Sequence, residues 1–150
     1  MTERDGDRTV GDREAREHFE RTLGIPMPDH WERLGRLAPW ALEGYVGMRS
    51  DALREPSEGG HLPVKYKNVI LTAMHITEKS RWGAETYARA AIEAGATLEE
   101  LAELVALTIM TNGQAAYVAA GQHALAAAEA ASTGASKKKG QAGPAAGGTR

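Results

Sequence analysis

Cysteine is absent from all 150 residues. Without a thiol the chain can form no disulfide, no thiolate metal site and no iron–sulfur cluster, and it cannot run thiol redox chemistry. Phenylalanine occurs once, beside three tryptophans and four tyrosines, so an aliphatic core is expected. No apolar run approaches the roughly 20 residues of a membrane-spanning helix. No basic-then-apolar leader opens the chain. An excess of positive charge is also missing. Lys and Arg total 18 against 20 Asp and Glu, a net charge of -2. That argues against a general nucleic-acid or membrane-surface binder. The expectation is a soluble, cytoplasmic protein with one folded domain.

What is present is helical punctuation, and the ends differ from the middle. Residues 1–24 hold twelve charged residues and few apolar ones. Arg13, Glu17 and Arg21 recur every four residues and can support a helix from about Asp12 to Leu23, after a loose arm. Residues 132–150 are small, polar and Gly-rich, with the basic run Lys137–Lys139, and are expected to form a disordered tail. Between them, residues 25–131 predict an all-α domain of about six helices. Asp29 and Glu32 suggest an N-terminal cap, Pro39 a first-turn proline, and Pro63 the start of a helix to about Lys79. A helix from about Trp82 to Ala94 stops at Gly95, and Thr97 with Glu100 forms a capping box for the next. Asn112-Gly113 stops that one, and the last helix runs from Gln114 to about Ala131. Short loops predict antiparallel neighbours.

Side-chain spacing orients three of these helices. Arg81, Glu85, Arg89 and Glu93 alternate in sign at four-residue spacing and predict a solvated stripe. Ser80, Gly83, Ala84, Tyr87, Ala91 and Ala94 then point inward. In the helix over 63–79, Tyr66, Val69, Ile70, Ala73, Met74 and Ile76 share one arc, predicted to be the buried one. The opposite arc carries Lys67, Asn68, Thr72, His75, Glu78 and Lys79. It either faces solvent or lines a cleft, where Lys67 and Lys79 would attract an anion and His75 would exchange protons. The helix after Thr97 is apolar on two sides and is expected to be the central, buried one. The alanine-rich last helix, with His123 packed among Ala116, Ala119 and Ala127, is expected to allow close helix approach and a subunit contact.

Other chemistries find less support. His75 and Glu78 could offer two metal ligands, but the inward faces of the other helices supply no second pair, so no metal site is expected. The glycine-rich phosphate and dinucleotide loops are missing, as is a Gly-x-Ser-x-Gly elbow. Trp82 borders the charged stripe as a pocket lid or an interface anchor, and Trp31, Trp40 and Tyr45 are expected in the core or an interface of the first helices.

Several segments together carry a resemblance. They are HWERLGRLAPWALEGYVGMRS from His30, LPVKYKNVILTA from Leu62, AAIEAGATLEELAEL from Ala90 and TNGQAA from Thr111. Over about residues 30–128 the chain resembles the carboxymuconolactone decarboxylase and alkylhydroperoxidase D-like family. The resemblance implies an all-α fold in homotrimers or hexamers, with sites near subunit contacts. The peroxidase branch of the family uses Cys-x-x-Cys-x-x-x-His with a glutamate one helix earlier. Those positions fall on Ser80, Gly83, Tyr87 and Asn68 here, so all four are changed and the thiol cycle is gone. The decarboxylase branch does without this cysteine pair. It acts on a carboxylated lactone from aromatic-ring breakdown, with no metal or organic cofactor. It usually keeps a histidine where Tyr87 stands, and a phenol is a poor base at neutral pH.

The expected function is therefore a cofactor-free lyase of decarboxylase type, acting on a carboxylated cyclic or aromatic-derived metabolite. His75, Tyr87 and Glu78 are its candidate catalytic residues, and Lys67, Asn68, Lys79 and Trp82 its candidate substrate-binding residues. The competing expectation is a non-catalytic binding or assembly protein on the same fold.

Overall fold

The computed structural model describes residues 10–141. The arm before Val10 and the residues after Gln141 lie outside it. Every regular element among the described residues is helical, and no strand occurs. They form two compact units, which divide between Val64 and Lys65.

The first unit holds α1 (Val10–Leu23), α2 (Asp29–Leu37) and α3 (Pro39–Ala52), followed by a 3₁₀ turn at Pro56–Glu58. Ala15, Phe19 and Leu23 recur at helical spacing on α1 and are buried, with Leu42 of α3 and Met27 of the linker. Phe19 packs against both Trp31 and Tyr45, which stack on each other with ring centroids 4.0 Å apart. Trp31 and Tyr45 thus serve the core as expected, whereas Trp40 is exposed. Pro39 opens α3 as the sequence suggested. No side chain of α2 is fully buried, and its N-terminus carries no side-chain cap. An Arg16–Glu32 ion pair of 2.6 Å ties it to α1.

The second unit holds α4 (Val64–Thr77, entered from the first unit at Val64), α5 (Arg81–Glu93), α6 (Leu98–Ala116), a π-helical turn (Tyr117–Gly121) and α7 (Gln122–Gln141). Its core runs along α5 and α7. Ala84, Ala88 and Ala91 of α5 meet a row of Ala116, Ala120, Ala124 and Ala128, closed by Ile76, Ile92, Leu101 and Val105. Methyl-sized side chains let two helix axes come close, so many weak dispersion contacts replace a few bulky ones. Gly121 belongs to this seam, since a Cβ there would press on Tyr117 and Val105.

Several stop signals act as the sequence suggested. Gly95 takes φ 96° after α5. Thr97 Oγ1 accepts from the Glu100 amide at 3.1 Å while Glu100 Oε2 accepts from the Thr97 amide at 2.9 Å. Gly113, at φ 73°, breaks α6 where Asn112-Gly113 was expected to end it.

Three expectations need correction. The central helix is α5, buried at eight positions, and not α6, where Leu107, Ile109 and Met110 are exposed. The inward face of α4 is rotated: Asn68 and Thr72 are buried with Ile76, while Tyr66, Ile70 and Met74 are exposed. Burial of Thr72 costs little because its hydroxyl donates to the Asn68 carbonyl at 2.8 Å. The last helix does not stop near Ala131 but continues to Gln141, so residues 132–141 are helical where a disordered tail was expected. Alanine and lysine are strong helix formers, and the isolated Gly134 and Gly140 do not break the run.

Candidate functional site

The turn between α4 and α5 sets the site. The Ser80 amide donates to the His75 carbonyl and the Lys79 amide to the Ile76 carbonyl, at 2.9 and 3.0 Å. This is the Schellman pattern, with its left-handed residue at Lys79 (φ 57°). The chain reverses in three residues, Glu78 to Ser80, so the end of α4 lies beside the start of α5.

His75 meets α5 there. Its imidazole stacks on the Tyr87 ring with centroids 5.1 Å apart and planes 9° from parallel. Tyr87 is buried. His75 lies directly over Gly83, and a Cβ built on Gly83 would overlap the ring at Cγ and Nδ1. Glu78 Oε2 lies 3.5 Å from His75 Nδ1, close enough to pair with a protonated ring. Nδ1 is nevertheless buried and makes no hydrogen bond. Two turns earlier on the same helix, Asn68 is buried with its Oδ1 unbonded. Buried polar atoms in folded proteins are nearly always satisfied, so these two are candidate contact points for a bound water or ligand.

The structure thus joins His75, Tyr87 and Glu78 and sets Asn68 on the same helix. It does not gather the other predicted residues. Lys67 is half-buried, and Lys79 and Trp82 are exposed. Glu85 is only half-buried, where a solvated stripe was expected. It pairs with Arg81 at 2.8 Å and lies 4.0 Å from His123 Nδ1. Among the described residues no group of three or more His, Asp or Glu is arranged to hold a metal.

The first unit contains a buried polar cluster that the sequence reading missed. His18 of α1 is 1% exposed. Its Nε2 accepts from Arg49 Nε at 3.1 Å, and its Nδ1 lies 3.1 Å from the Ser50 hydroxyl. With Nε2 an acceptor, Nδ1 carries the proton and donates to Ser50. Arg49 also donates to Thr22 Oγ1 at 3.3 Å. Burial, then the Arg49 and Arg21 charges, push the His18 pKa down from 6.5 to about 4. A signal existed: Ala15, His18, Phe19, Thr22 and Leu23 follow the spacing of a buried helix face.

The profile of the carboxymuconolactone decarboxylase family matches residues 39–133, from the start of α3 into α7. The chain belongs to that family. A carboxymuconolactone decarboxylase fold is also found in the crystal structure of a Burkholderia xenovorans LB400 protein described as a "putative carboxymuconolactone decarboxylase". It is 28% identical, aligns over 84% of this chain and 94% of its own, and superposes with a TM-score of 0.77. None of the curated proteins matches the chain. On the carboxymuconolactone decarboxylase frame, the positions expected to differ from the peroxidase pattern are enclosed ones: Asn68, Gly83 and Tyr87 are buried and Ser80 is half-buried. Among the described residues no helix is long and apolar enough to cross a membrane.

Proposed function

We propose that this chain is a cytoplasmic lyase of decarboxylase type, which works by side-chain acid–base chemistry without a cofactor on a carboxylated cyclic or aromatic-derived metabolite. The observation that carries this reading is the His75 imidazole held flat on buried Tyr87, with the Glu78 carboxylate 3.5 Å from Nδ1. Nδ1 is turned inward beside Glu78, which leaves Nε2 as the nitrogen to exchange protons with substrate. The buried Tyr87 ring offers an apolar face, against which a substrate carboxylate is disfavoured and its loss favoured. As the C–C bond breaks, its electron pair stays on the ring carbon, carbon dioxide leaves, and protonated His75 delivers a proton to that carbon. Asn68, on the same helix as His75, is the first candidate for substrate binding, whereas Lys67, Lys79 and Trp82 are not gathered at the His75–Tyr87 stack and carry less of this reading. Membership of the family and the fold shared with the Burkholderia protein support the same chemistry.

The test begins with carboxylated lactones and phenolic acids screened for thermal stabilisation, since a ligand of the folded state raises its Tm. Hits are then followed for carbon dioxide release. Unchanged turnover in both His75→Ala and Tyr87→Phe overturns the assignment.

A binding or assembly role is the second reading. It is favoured by Tyr66, Ile70 and Met74, which leave a four-residue-spaced apolar stripe exposed on α4. The same stripe suits a homotrimer or hexamer, and sedimentation of the purified chain measures that directly. Stable oligomers without turnover of any hit would favour assembly alone.

A further inference from the structure

A glycine in the first turn of a helix calls for a reason, because alanine would be the better helix former there. Gly83 is such a residue, third in α5 and buried. Its φ lies outside the left-handed range, so its backbone does not require glycine. Space does: the three atoms nearest to a Cβ on Gly83 all belong to the His75 ring. Two of them, Cγ and Nδ1, are at the root of the imidazole, so no small shift of a flexible tip relieves the overlap. The ring would have to leave this place, and with it the face of Tyr87.

We propose that Gly83 is the positioning residue for His75: the missing side chain makes the seat in which the imidazole lies against Tyr87, with Nδ1 turned inward. This inference rests on the functional reading above for its relevance to catalysis, but its geometry stands without it. Nδ1 is buried while the His75 side chain remains 26% exposed, so that exposure belongs to its other atoms. Any side chain at residue 83 therefore decides which edge of the imidazole is presented outward. Tyr87 forms the floor of the seat and Glu78 faces its inner nitrogen.

The test uses Gly83→Ala in two backgrounds of the full chain. With His75 present, the added methyl overpacks the seat and should lower Tm by roughly 3–8 °C. With His75→Ala the same methyl meets no ring, and Tm should stay level or rise, as a glycine-to-alanine change in a helix does. NMR supplies the readout that a merely structural glycine would not move. In Gly83→Ala the His75 imidazole signals should lose the ring-current shift from Tyr87, and the nitrogen tautomer ratio should change. A Gly83→Ala chain that does not fold, but folds once His75→Ala is added, supports the seat equally well. Equal losses of Tm in both backgrounds overturn it, and so do unchanged imidazole signals in Gly83→Ala. A coupled pair with no turnover of any carboxylated substrate would leave the seat standing and bring down the lyase assignment.

Discussion

Each unit packs a histidine against its helices, His18 fully buried in the first and His75 half-buried in the second, and the two are held in opposite ways. In the first, both ring nitrogens of His18 are engaged, by Arg49 and Ser50, and the ring is held neutral. In the second, His75 is located by shape, on the Tyr87 face and over Gly83, with Nδ1 left unbonded. A histidine with both nitrogens satisfied has little capacity left to take or give a proton. His75, held by stacking, has no such hydrogen bond at its inner nitrogen. The contrast is between a ring fixed by hydrogen bonds and a ring fixed by shape, and the proposed acid–base role falls on the second.

The largest effect should come from His75→Ala. Loss of a general acid–base group is expected to lower turnover of an identified substrate by about 10²–10⁴-fold. Chemical denaturation of the same variant should show a much smaller relative change. The reverse pattern is expected for His18→Ala, which leaves a cavity and strips an acceptor from Arg49. Unfolding should become easier by roughly 2–4 kcal/mol, with turnover per folded molecule unchanged. If His18→Ala loses turnover and keeps stability, the contrast between the units is wrong.

Acid gives a third expectation. The His18 pKa lies below that of the unfolded chain, so the unfolded state binds more protons between pH 6.5 and 4. The stabilisation from neutral His18 is complete above pH 6.5 and is lost as pH falls toward 4. Because the unfolded ring is only half protonated at pH 6.5, the loss between pH 6.5 and 5 should be roughly 1.5 kcal/mol. Urea midpoints of wild type and His18→Gln across that range measure it, and an equal slope in both would assign the titration elsewhere. The smallest effect concerns Lys79, which stands in the left-handed position that Gly95 fills after α5. Lys79→Gly should relieve about 1 kcal/mol of backbone strain, a rise in Tm of a few degrees.

Much of the second unit was legible because its signals are local. Gly95, Thr97 with Glu100, and Gly113 act on their own backbone, and the charged spacing of Arg81 to Glu93 identified the opposite face of α5 with Gly83, Ala84 and Tyr87 inside. The rotation of α4 was not legible. Hydrophobicity alone placed Tyr66, Ile70 and Met74 inside, yet the polar Asn68 and Thr72 took the buried face and carried His75 toward α5. A site that needs polar groups inside inverts the pattern that finds a core. His75, Tyr87 and Glu78 were therefore nameable as candidates. The role of Gly83 was not, because a missing side chain leaves no mark until its neighbour is seen.

The alanine seam between α5 and α7 has a consequence for that neighbour. Alanine has no side-chain torsion, so Ala84, Ala88, Ala91, Ala120, Ala124 and Ala128 have no alternative rotamers among which to repack. A core of leucine or methionine can absorb a small displacement by changing rotamer; here that freedom is confined to the larger residues around the seam, such as Ile76, Ile92 and Leu101. The helix that carries Gly83 and Tyr87 is thus backed by an inelastic wall. Under the proposed function, the small adjustments that a ligand asks for would fall mainly on His75, which is held by shape and not by hydrogen bonds.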